Sequence, residues 1–111
     1  MIIAVAGPYS APTEEARQKN LDALNEAAAR LLERGHIPLI GINAALPVVD
    51  KAYGLTDDRY NALMNISMAV VSACDALLFM GESRGANMER DLFVAKSLPI
   101  YYSLDAVPES L

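Results

Sequence analysis

Four short apolar runs separated by helix-length segments constrain this chain more than any other feature. The runs are Ile2–Ala6, Ile37–Ile40, Ala76–Met80 and Ile100–Tyr102. Continuous apolar stretches of this length read as strands buried on both faces, the kind that parallel sheets require. The intervening segments carry helix signals. Thr13 is an N-cap followed by Glu14 and Glu15, and Leu21, Leu24, Ala28, Leu31 and Leu32 recur at helical spacing before Gly35. This predicts a long first helix over residues 13–34. Thr56-Asp57-Asp58 opens a second helix running to about Ser72, with Tyr60, Leu63, Met64, Ser67, Met68 and Val71 inward. A third spans Ala86 to Ser97 and stops at Pro99.

Parallel neighbours need crossovers of a dozen or more residues, and such crossovers are right-handed. The expected fold is therefore α/β, a small doubly wound parallel sheet of about four strands in the order 2-1-3-4. One domain fills residues 1–111. Pro38 near the start of the second strand suits an edge position, where a missing N–H is tolerated. The 16 residues from Gly41 to Thr56 exceed an ordinary loop and predict either a lid or a short helix. The tail from Leu104 to Leu111 is expected to be a short edge element or mobile.

Composition narrows the function class. With 9 basic and 14 acidic side chains the net charge is −5, and no Lys/Arg cluster is present. That balance argues against nucleic-acid polymers and anionic membranes as partners. No apolar run approaches the ~18 residues of a membrane span, and Met1-Ile2-Ile3 starts a strand without a basic leader. A single cysteine forms no internal disulfide, so a cytoplasmic location is expected. One histidine and one cysteine cannot build a Cys/His metal cage or a Ser-His-Asp triad within a subunit. No metal or organic cofactor is implied.

Topology locates the site. Doubly wound sheets bind ligands beyond the carboxyl ends of their strands, where the order reverses, here between strands 1 and 3. The loops at that point are Gly7-Pro8-Tyr9-Ser10 and Gly81-Glu82-Ser83-Arg84-Gly85, each leading into a helix N-terminus that attracts anions. Asp75, His36 and Cys74 fall on the opposite edge, where Asp75 is expected to serve a turn or cap, His36 to be solvated or capping, and Cys74 to be a small core residue. Gly81 and Gly85 allow a ligand to approach the backbone closely. Glu89 is expected in the first turn of the third helix, whose positive end favours the carboxylate over the acid, a state suited to a nucleophile. Residues 81–89 match neither a GxGxxG fingerprint nor a P-loop. A response-regulator-like reading fails too, because the strand ends Ala4-Val5-Ala6-Gly7 and Met80-Gly81 carry no acidic cluster.

Ser83-x-Gly85-x-x-x-Glu89 after an apolar strand resembles the signature of the nucleoside 2-deoxyribosyltransferase-like superfamily, which includes 2′-deoxynucleoside 5′-phosphate N-hydrolases. Ala6-Gly7-Pro8-Tyr9-Ser10, Asn20, Gly35 and Cys74-Asp75 match as well, so the resemblance spans residues 2–102. It is nearest to the superfamily's uncharacterised small bacterial and phage group. The resemblance implies cleavage of the N-glycosidic bond of a nucleoside or nucleoside 5′-monophosphate, by hydrolysis or by transfer of the sugar to another base. Glu89 corresponds to the nucleophile that attacks the anomeric carbon, forming a glycosyl-enzyme that passes to water or a second base. Ser83 stands where the transferases carry aspartate and the nucleotide hydrolases a phosphate-binding serine, which implies a phosphorylated substrate. The remaining candidate contacts are Gly7, Tyr9, Ser10, Gly81, Arg84 and Gly85, with Tyr9 either stacking on the base or donating its hydroxyl.

The chain departs from that pattern at the second acid, since Asn65, Ile66 and Ser67 occupy its neighbourhood on the helix before strand 3. Asp57 and Asp58 lie about two turns earlier, and Glu82 is a loop carboxylate able to substitute. Two function classes therefore stand side by side: an N-glycosidase or transferase, and a non-catalytic nucleotide sensor of the same fold. Superfamily members are homodimers or larger. A short chain with positive mean hydropathy is also expected to bury apolar surface between copies.

Overall fold

The computed structural model describes residues 1–52 and 58–109. Strand β1 covers Ile2–Ala6, β2 Ile37–Leu39, β3 Ala76–Phe79 and β4 Ile100–Tyr101, and every pairing is parallel. Their order across the sheet is β2-β1-β3-β4, the doubly wound, Rossmann-like arrangement expected. Four α-helices connect and flank the strands: α1 over Glu14–Glu33, α2 over Gly41–Val49, α3 over Arg59–Val71 and α4 over Arg84–Ala95.

Side-chain alternation divides the apolar residues into two layers. Ile3 and Val5 of β1 and Leu78 of β3 join Leu24, Ala27 and Leu31 of α1 on one face. Ala4, Ala6, Leu77 and Phe79 join Val71 of α3 and Phe93 of α4 on the other. Ile3, Leu31, Leu77 and Phe93 are at most 1% exposed; full burial of such a side chain is worth roughly 1.5–3 kcal/mol. Because β1 and β3 are central and sealed on both faces, the sheet offers a ligand access chiefly at its ends.

Local chemistry sets the helix limits. The Thr13 hydroxyl accepts the Ala16 N–H at 3.1 Å, so α1 starts where its cap predicts. Beyond α1, Gly35 takes φ 89°, a left-handed conformation that a side chain would disfavour. Helix α4 begins at Arg84, two residues earlier than its sequence suggests. The Ser83 hydroxyl caps it by accepting the Ala86 N–H at 3.0 Å, which draws Arg84 and Gly85 into the first turn.

The stretch after β2 is the short-helix alternative: α2 starts at Gly41 with no side-chain cap and carries Pro47 inside. Its stability comes from packing, since Ala45 and Val49 form a separate small core with Leu63 of α3. Helix α3 is described from Arg59; the expected start at Thr56 and Asp57 lies outside the described residues. The tail is anchored rather than mobile through Pro108. It forms a 3₁₀ turn at Leu104–Ala106 and buries Val107 to 2% exposure against the α1 layer. Arg34 reinforces it by donating to the Leu104 carbonyl. Among the described residues no helix is long and apolar enough to cross a membrane.

Candidate functional site

At the carboxyl ends of β1 and β2, between α3 and α4, lies a cavity of about 280 Å³, just below the ~300–1,000 Å³ usual for small-molecule sites. Each wall follows from the topology. β1 delivers Gly7, Tyr9 and Ser10; the start of α2 delivers Gly41 and Ile42; α3 contributes Tyr60, Leu63, Met64 and Ser67; and the start of α4 contributes Ser83, Arg84, Gly85 and Glu89. Most of the lining is apolar, so its few polar groups dominate the electrostatics inside.

Glu89 is the central one. Its residue is 6% exposed, and its carboxylate Oε1 accepts a 2.7 Å hydrogen bond from the Ser67 hydroxyl, itself 3% exposed. Burial pushes the Glu89 carboxyl above its ordinary value, and the Ser67 hydrogen bond, which favours the charged form, only partly opposes this. This corrects the sequence-based expectation. With α4 starting at Arg84, Glu89 is in its second turn, beyond the stretch where the helix end strongly favours an anion. Desolvation then outweighs the dipole.

Ser67 belongs to the face of α3 expected to point inward, but its contact with Glu89 bridges 22 residues and has no local signature. The one signal in the sequence is a serine on a helical face whose other members are aliphatic, methionine or aromatic. Gly41 is a second residue the sequence reading passed over. A Cβ built there would stand 2.1 Å from Ser67 Oγ and 2.9 Å from both the Cα and the carbonyl oxygen of Ser67. Glycine at the start of α2 is what lets α2 touch α3 at the very residue that holds Glu89.

Specific contacts fix the two loops in place. Asn20 of α1 donates to the Tyr9 carbonyl at 3.0 Å, tying the Gly7–Ser10 loop to the helix that follows it. The Arg84 guanidinium lies over the Tyr60 ring, 4.6 Å from its centre. Gly85 approaches Met64 so closely that a Cβ would come within 3.0 Å of its sulfur, which keeps α4 against α3.

Of the expected contacts, Gly7, Tyr9, Ser10, Ser83, Arg84, Gly85 and Glu89 share the cavity. Gly81 does not. It sits beneath Pro8, where a Cβ would be 3.3 Å from the proline ring, so its smallness serves loop packing rather than ligand approach. Glu82 lies outside as well, exposed and paired with Arg90 at 3.7 Å. Asp58 accepts from Asn61 at 3.2 Å beside its own helix start, and Asp57 is outside the described residues.

The residues assigned to the far edge are there. Asp75 accepts the Ile2 N–H at 2.8 Å. Cys74 is buried, and burial, reinforced by the charge of Asp75, raises its thiol above the ordinary value. His36 is buried to 3% exposure rather than solvated, bridging the Met1 nitrogen and the Pro108 carbonyl. Among the described residues no three His, Cys, Asp or Glu side chains converge to hold a metal ion.

A family model described as Domain of unknown function (DUF4406) matches residues 1–102. The chain belongs to that family. The match runs from the residue before β1 through β4 and therefore includes every described wall of the cavity. The 3₁₀ turn and the anchored tail lie beyond it in this DUF4406 member. No curated protein matches the chain.

Proposed function

We propose that this DUF4406 protein cleaves the N-glycosidic bond of a nucleoside 5′-monophosphate or nucleoside, with Glu89 as the nucleophile. The observation that carries the reading is a buried carboxylate, fixed by Ser67, inside a cavity at the carboxyl end of a parallel sheet. Ser67 occupies Oε1, and Oε2 is left to attack the anomeric carbon. Close approach of an anion stabilises the oxocarbenium-like transition state, and a covalent intermediate splits one displacement into two easier steps. The likeness of Ser83-x-Gly85-x-x-x-Glu89 to the nucleoside 2-deoxyribosyltransferase-like superfamily agrees with this chemistry.

A phosphorylated substrate is favoured by the groups gathered at the start of α4. The Ser83 hydroxyl accepts from Ala86 and keeps its own proton for a ligand. Arg84 brings a guanidinium to the same end, and the helix N-terminus adds its amides and dipole. The products are a free base and either a sugar phosphate or a new nucleotide. The reaction is assigned to the cytoplasm and to a homodimer or larger homo-oligomer. Exposed Ile37 and Leu39 on the edge strand β2 agree with self-association, for which sedimentation at micromolar concentration is the check.

One observation favours a second reading. Among the described lining residues Glu89 is the only carboxylate, as a nucleotide sensor without turnover would allow. Incubation with a panel of ribo- and deoxyribonucleosides and their monophosphates, read for free base by chromatography, decides between them. Base release supports the glycosidase. Thermal stabilisation by a panel member without any release supports the sensor.

A further inference from the structure

The α3 wall carries one polar group for which the nucleophile alone provides no use. Tyr60, Leu63, Met64 and Ser67 follow one another at helical spacing and all line the cavity. The Tyr60 hydroxyl is buried and has no hydrogen-bond partner among the described residues. Leaving a buried hydroxyl unpaired is costly, so its presence calls for a reason. The Arg84 guanidinium over the ring holds it in place from the mouth of the cavity.

A neutral base leaves an anomeric carbon readily only if one of its nitrogens gains a proton, and Glu89 cannot supply that proton while it acts as nucleophile. We propose that Tyr60 is the proton donor to the departing base, an assignment that rests on the glycosidase reading above. As Glu89 Oε2 bonds to the anomeric carbon, the carbon–nitrogen bond breaks and its electron pair passes to the base. The phenolic proton of Tyr60 goes to a base nitrogen. Water then attacks the anomeric carbon of the glycosyl ester, restores the Glu89 carboxylate and returns a proton to the Tyr60 phenolate.

The spacing suits the task. Tyr60 precedes Ser67 by seven residues, about 10 Å along the axis of α3. In retaining enzymes that cleave oxygen glycosides the acid protonates the bridging atom itself, and the two carboxyls stand only ~5 Å apart. A proton destined for a nitrogen elsewhere on the base needs a donor set farther back.

Tyr60→Phe tests this by deleting the hydroxyl while keeping the ring and its contact with Arg84. Base release is compared between two substrates that share ribose 5′-phosphate, a purine nucleoside monophosphate and nicotinamide mononucleotide. The purine needs protonation, whereas the pyridinium base departs neutral without it. The expected loss is ~10²–10⁴-fold on the purine substrate and less than about threefold on the pyridinium substrate. Equal losses on both, or none on the purine, would overturn the assignment. If the pyridinium substrate is not turned over, a series of purine monophosphates whose bases differ in leaving ability decides instead. A Tyr60→Phe loss that shrinks as the base leaves more easily supports the proposal, and a loss that stays constant along the series overturns it. A wild-type protein that releases base from no substrate overturns the glycosidase reading as well, an outcome distinct from an active enzyme indifferent to Tyr60.

Discussion

The Ser67 hydroxyl donates to Glu89 Oε1 at 2.7 Å, joining α3 to α4 at the floor of the cavity. This one bond orients the carboxylate and offsets part of the desolvation that raises its pKa. Ser67→Ala should therefore move the acid limb of the kcat/KM profile to higher pH, since the contact it removes favours the charged form. A hydrogen bond to a charged group is worth ~1.5–3 kcal/mol, so kcat/KM at neutral pH is expected to fall about 10- to 100-fold. An unshifted limb would show that Ser67 does not tune Glu89.

Gly41 makes that bond possible. In Gly41→Ala the new methyl meets the Cα and carbonyl oxygen of Ser67 at 2.9 Å, and backbone cannot rotate away as a side chain does. Forced overpacking of this kind costs ~1–3 kcal/mol. Both Tm and kcat/KM should drop together, because separating α2 from α3 displaces Ser67. A variant with the Tm of the parent would mean that the two helices part without penalty.

Burial of Glu89 links stability to pH with a definite sign. Its carboxyl is raised above the ordinary 4.5, so the native state keeps the proton over a window where the unfolded chain has released it. The associated stability is full below that ordinary value and is lost as pH rises through the native one. Glu89→Gln cannot ionise and escapes this loss. Thermal unfolding from pH 4 to 8 should show the Gln variant gaining on the parent as pH rises. A gap that stays constant or narrows would contradict the burial argument.

The Asn20 side chain supports the opposite wall through the Tyr9 carbonyl. Removing it in Asn20→Ala forfeits a hydrogen bond worth ~1 kcal/mol and loosens the loop that includes Ser10. Steady-state kinetics should show a KM several-fold higher with kcat little changed. Unaltered KM would separate that loop from substrate binding.

Much of the fold was legible in the sequence because parallel strands sealed on both faces leave continuous apolar runs, and their crossovers admit few topologies. Order 2-1-3-4 and the grouping of Gly7, Ser83, Arg84 and Glu89 at one end follow from that alone. Helix α2 was not resolvable, since an uncapped glycine start and an internal proline speak against a helix until Ala45 and Val49 find Leu63. The state of Glu89 was misjudged through a shift of two residues. Arg84-Gly85 reads as loop, but the Ser83 cap recruits both into α4 and puts Glu89 in its second turn. Contacts such as Ser67 with Glu89, or Gly41 with Ser67, join elements distant in sequence, and no periodicity encodes them.

The most direct test sets the wild-type protein beside Glu89→Gln, with folding of both verified, against a panel of nucleosides and nucleoside 5′-monophosphates. Free base is quantified by chromatography. Release by the wild type from at least one monophosphate is expected, with a loss of ~10³-fold or more in the Gln variant. Undiminished release by Glu89→Gln, or none by the wild type across the panel, would contradict the proposed role of Glu89.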